Sequence, residues 1–143
     1  MSIFHRIFGP PATPPADAHD AELGPLTWSA DLEGWVAASP APRATFLIAG
    51  RRAPDPALLS HARDIARAFP QFQAMVRAFL HQEAARFPPA VADDIRTLEL
   101  ESINLFWPER PDDGMLYFQG QNEDRVWRSD YVGRKPKDLG FDS

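Results

Sequence analysis

The chain has 143 residues, of which 44% are hydrophobic and 11% aromatic, with no cysteine and a formal net charge of −5. That is the make-up of one globular domain, and it excludes disulfides, thiolate metal sites and a thiol nucleophile. The charge is uneven: residues 1–89 carry eight acids and eight bases, whereas residues 90–143 carry twelve acids and seven bases, a balance that argues against a nucleic-acid partner and suits a basic protein partner.

Residues 1–23 read as a Pro-rich appendage. Ile3, Phe4, Ile7 and Phe8 share one face of a two-turn helix, a segment that can dock on the protein or touch a membrane surface. Pro10, Pro11, Pro14 and Pro15 then stiffen the chain. No stretch approaches the roughly 18–20 apolar residues of a membrane span, and the start lacks the form of a secretory signal, so a cytoplasmic protein is expected.

A single domain is expected over residues 24–143. Leu26, Trp28 and Ala30 alternate with polar neighbours and predict a first strand. Residues 31–34 read as a turn, 35–38 as a second strand, and Ser39-Pro40-Ala41-Pro42 as its break. Thr45-Phe46-Leu47-Ile48-Ala49 is apolar without alternation, which predicts a central strand covered on both faces. Asp55 and Pro56 suit the cap and first turn of a helix carrying Leu58, Ala62, Ile65 and Phe69. Phe72, Met75, Val76, Phe79 and Leu80 make a second amphipathic helix, and Val91, Ile95 and Leu98 allow a short third.

The last third is extended. Leu98 and Leu100 have one parity and Ile103, Leu105 and Trp107 the other, so a bulge is expected near Glu101 and Ser102. Strands follow at 115–118 and 126–131, each after a turn. Residues 133–143 read as a polar tail pinned by Leu139 and Phe141. Three strands, two or three helices and three strands, without βαβ alternation, predict an α+β domain: an antiparallel sheet of about six strands with a helical pair packed on one face.

Chemistry-bearing motifs are sparse. His5, His19, His61 and His81 have no zinc-ligand spacing and read as surface or boundary residues. No serine lies in a nucleophile motif, and no glycine pattern cradles a phosphate. Catalytic, cofactor and metal residues are therefore not assigned. The clearest lead is the segment 106–113. Trp107, Glu109, Arg110, Asp112 and Asp113 join an aromatic, a guanidinium and three acids on a loop between strands, the residue types that anchor protein interfaces.

Gly24, Leu26 and Trp28 in an opening strand, Leu98-Glu99-Leu100-Glu101-Ser102-Ile103 after a helical middle, and a closing Leu139-Gly140-Phe141-Asp142 give residues 24–143 a layout that resembles small bacterial α+β domains similar in size to immunity proteins. The resemblance implies a binding role, that of neutralising a secreted toxin, and carries over no catalytic residue. A small-molecule-binding domain or enzyme with a pocket between sheet and helices is the alternative, and a membrane-associated factor using residues 1–8 is a further one.

Overall fold

Eight strands follow one another across a single sheet in chain order, and three helices are inserted at its middle. The computed structural model describes residues 17–41 and 44–142. The elements are β1 (Ala18–Asp20), β2 (Gly24–Ser29), β3 (Gly34–Ala41), β4 (Ala44–Ile48), α1 (Pro56–Arg67), α2 (Phe69–Ala84), α3 (Pro89–Arg96), β5 (Glu99–Leu105), β6 (Gly114–Gln119), β7 (Val126–Val132) and β8 (Lys135–Asp142). The α+β class is as expected. The sheet is wider than the six strands expected, and β4 and β5 pair parallel while every other neighbour is antiparallel. A parallel pair needs a long crossover, which the helices supply.

Both unexpected strands are edges. β1 lies inside the stretch set apart as an appendage, so the sheet reaches back to Ala18; the strand is only three residues long and has no periodicity to read. β8 occupies what reads as a tail. Its Pro136, Lys135, Lys137 and Asp138 are poor strand formers and guard an edge against pairing with other chains. Leu139 is nevertheless buried, and Phe141 packs 4.7 Å from Trp127, ring centre to ring centre. β3 runs through Ser39 and Pro40 to Ala41, past the break expected there. The irregularity expected near Glu101 is present, as a register shift between Leu100 and Ser102.

One face of the sheet builds the core. Cross-strand pairing aligns Leu26, Ala37, Phe46, Ile103, Leu116, Ser129 and Leu139 in one row, and all are buried. Leu58, Ala62 and Ile65 of α1, Phe72, Val76 and Leu80 of α2, and Ala92 and Ile95 of α3 close over that row. Asp55 caps α1 by accepting from the Ala57 and Leu58 N–H groups at 2.9 and 3.2 Å. Arg77 of α2 donates to the Arg96 and Leu98 carbonyls at 3.3 and 3.2 Å, fixing the chain where it leaves α3.

The sheet curls around α1. Arg63 donates to Asp20 in the β1–β2 region, and its neighbour Asp64 accepts from Arg134 in the β7–β8 turn at 3.2 Å. Seven strand spacings of about 4.8 Å would hold those edges more than 30 Å apart in a flat sheet. Adjacent residues of one helix reach both only because the edges bend toward each other.

Candidate interaction surface

The loops at the C-terminal ends of β4 and β5 gather at one end of the sheet. The Ala49 N–H donates to the Leu105 carbonyl at 3.0 Å, which carries the parallel pairing to this end. Around it lie the β2–β3 turn (30–33), the segment leading into α1 (49–55), the β5–β6 loop (106–113) and the β7–β8 turn (133–134). Loops set on a rigid sheet end are where binding residues concentrate.

The β5–β6 loop is two successive turns. The Arg110 N–H donates to the Trp107 carbonyl at 2.9 Å and the Asp113 N–H to the Arg110 carbonyl at 3.0 Å. The first turn folds Arg110 back so that its guanidinium carbon lies 4.6 Å from the centre of the Trp107 ring. Phe106 meets Trp107 edge to face at 5.6 Å. Trp107 and Phe106 are half-buried, while Glu109 and Arg110 are exposed at the tip. Exposed Leu32 (59%) and Val132 (48%) lie at the same end of the sheet.

Of the five residues picked out in the sequence, Glu109, Arg110 and Asp112 are exposed, while Trp107 and Asp113 are half-buried. Asp112 and Asp113 also make contacts within the chain. Arg134 donates to Asp112 Oδ1 at 2.7 Å through its side chain and to the Asp112 carbonyl at 2.9 Å through its backbone. Asp113 Oδ1 accepts from the Gly133 N–H at 2.9 Å. The two acids thus hold the β7–β8 turn, in which Gly133 and Arg134 take φ of 57° and 67°. Positive φ at both central residues is the tight hairpin geometry whose twist matches that of the strands. Arg134 adopts it without being glycine, and its contacts to Asp112 and Asp64 hold it there. The Arg134 guanidinium keeps the Asp112 carboxyl below its usual range.

Beneath the loop lies a polar network that sequence reasoning missed. His61 of α1, expected at the surface or boundary, is buried at 2% exposure. Its Nδ1 is 2.5 Å from the Pro111 carbonyl and its Nε2 is 2.9 Å from the Tyr131 hydroxyl. Nδ1 therefore carries the proton, and Tyr131 donates to Nε2, so the neutral ring satisfies both sides. Burial foremost, then the nearby Arg134 charge, lowers the His61 pKa, while the Pro111 carbonyl, Asp112 and Asp64 work against that. Burial likewise raises the Tyr131 pKa. The network holds the loop to α1 and β7. The only sequence signal for it is the spacing of His61 with Leu58, Ala62 and Ile65 on one helix face.

A second concavity lies at the opposite end, where α2 meets β4 and β5. Val76, Leu80, Leu98 and Leu100 floor a groove of about 700 Å³, with Gln73 and Arg77 at its rim. Among the described residues no three His, Asp or Glu side chains gather to hold a metal ion, and no helix is long and apolar enough to cross a membrane. The apolar stripe expected at residues 3–8 lies outside the described residues. No protein-family model, curated protein or solved structure matches the chain.

Proposed function

We propose that this chain is a non-enzymatic protein-binding domain of the bacterial cytoplasm that meets its partner through the rim formed by Trp107, Glu109 and Arg110. In the form that the resemblance to immunity proteins implies, the partner is a toxin. The observation that carries the reading is the stack of exposed Arg110 on half-buried Trp107, on a loop also held by His61 and Arg134. Trp and Arg supply a large share of interface binding energy, and a loop already fixed loses little freedom on binding. This end exposes both signs, Asp31, Glu33 and Glu109 beside Arg51, Arg52 and Arg110, and the preference for a basic partner rests on the acidic excess of residues 90–143 as a whole. Asp112 and Asp113 support the loop, and Asp112 is exposed enough to meet the partner as well.

The test is binding to the purified products of the neighbouring genes. Trp107→Ala with Arg110→Ala should weaken the complex at least about tenfold, equivalent to about 1.4 kcal/mol, and shift the melting temperature by less than about 2 °C. Failure of every neighbouring product to bind, or equal affinity of the double variant, would contradict the reading.

The groove supports a second reading, as a site for a small apolar ligand. Its volume lies within the usual range of about 300–1,000 Å³ for ligand pockets, and its floor is aliphatic. Stabilisation of the protein by small apolar acids that is abolished in Ala74→Trp, which fills the groove, would favour that reading over the first.

A further inference from the structure

The three helices cover one face of the sheet, and the other face has an unusual surface. β2, β3, β4 and β6 contain no charged residue. On the face away from the helices, Thr27, Val36, Leu47, Asn104 and Met115 form one cross-strand row, and Thr45, Ser102 and Tyr117 form the next. Charge borders these rows: Glu99 of β5, opposite Gln119, and Glu101 at the β5 bulge are exposed at one end, and β7 and β8 bring Asp130 beside Lys137, and Arg128 paired to Asp142 at 3.1 Å. β4 is apolar on both sides: Phe46 and Ile48 face the helices, while Leu47 points the other way and is buried too. Leu47 leans across Gly34, where a Cβ would lie 2.7 Å from its Cδ1, and so flattens the patch. Parallel strand pairs are found with both faces covered, and β4 and β5 form the parallel pair here.

We propose that these two uncharged rows are the docking site of the chain's own N-terminal segment, with Ile3, Phe4, Ile7 and Phe8 seated over Val36, Leu47 and Met115. Size favours that occupant. From β2 to β6 the patch is about 19 Å wide, and its two rows span about 10 Å along the strands. A two-turn helix, about 12 Å long and about 10 Å across, matches that area, whereas a stable dimer needs about 800 Å² from each partner. Reach is sufficient. Residues 9–17, with four prolines among them, extend about 28 Å at about 3.1 Å per residue, and β4 lies about 14 Å from β1, where the described chain begins. A tether of that length keeps the segment at high local concentration, so a modest apolar contact suffices. Chemistry agrees as well: the segment's stripe is purely apolar, and His5 and Arg6 lie off it.

The absence of cysteine and the position of Met115 allow a direct test on the full chain. Peroxide oxidation of Met115, followed by mass spectrometry, should run at least about threefold faster in Phe4→Asp with Phe8→Asp than in wild type, while half-buried Met75 of α2, on the other side of the sheet, reacts at an unchanged rate. Independently, Ile7→Cys paired with Thr45→Cys should form an intramolecular disulfide, and Ile7→Cys paired with Leu32→Cys at the end of the sheet should not. Equal Met115 rates in wild type and variant, or no preference for the Thr45 pair, would overturn the proposal. Protection of Met115 that rises with protein concentration would overturn it in favour of a second copy. Binding of residues 1–8 to anionic vesicles with Met115 equally reactive throughout would overturn it in favour of a membrane contact.

Discussion

His61 shows how one buried side chain can connect three parts of the chain. As the neutral ring it is satisfied on both sides, donating to the Pro111 carbonyl and accepting from Tyr131. Tyr131→Phe removes the donor and leaves a buried nitrogen unpaired, so urea unfolding at neutral pH should show a loss of about 1–3 kcal/mol. The sign of the pH dependence follows from the lowered His61 pKa. The unfolded chain takes up the proton first, so stability from this group is complete above about pH 6.5 and falls as the pH drops below that value. Unfolding curves between pH 8 and 5 should show that decline, and His61→Leu should flatten it. Asp20 acts in a lower window. The hydrogen bond from Arg63 holds its carboxyl down to about 2, against the opposing effect of burial, and the Leu23 and Glu22 N–H groups assist. Its contribution is complete above about pH 4 and lost as the pH falls toward 2. Asp20→Asn should cost about 1–3 kcal/mol at pH 7 and less at pH 3. The sequence made the local part of this chemistry legible: Asp55 caps its own helix from one residue away. It could not show Tyr131, which meets His61 from 70 residues further along the chain.

Elements with a strong internal period were readable, and those defined by partners were not. The parity switch between Leu100 and Ile103 located a bulge because a strand's faces alternate strictly. The unbroken apolar run of β4 indicated a strand covered on both sides, which fits its place beside β5 at the centre of the sheet. β8 gave no such signal. It is held by its pairing to β7 and by a turn in which Arg134 stands at a position that favours glycine or asparagine. The same logic explains why the bracing by Asp112 and Asp113 was not readable: their loop was legible, but the turn they hold was not. Close strand contact at Gly114 gives a test of the register. A Cβ there would lie 2.3 Å from the Asn104 carbonyl oxygen, whereas nothing lies within 4 Å of one at Gly140. Gly114→Ala should therefore destabilise by about 1–3 kcal/mol, and Gly140→Ala by less than about 0.5 kcal/mol, in parallel denaturation curves.

At the scale of the whole molecule, the sheet bends so that α1 ties both of its edges, through Asp20 and Arg134, and the helices fill the trough between. That arrangement fixes the loop end as one rigid surface, since His61 and Asp64 of α1 and Tyr131 and Arg134 of the β7–β8 hairpin together brace the same loop. A surface braced in that way suits recognition, and the claim that it is the recognition surface is what the functional account depends on. Amide hydrogen exchange of the protein with and without its bound partner tests that claim most directly. New protection is expected at residues 106–110, extending to 30–33 and 132–134. Protection confined to residues 70–80 and 98–100, around the groove at the other end, would contradict it.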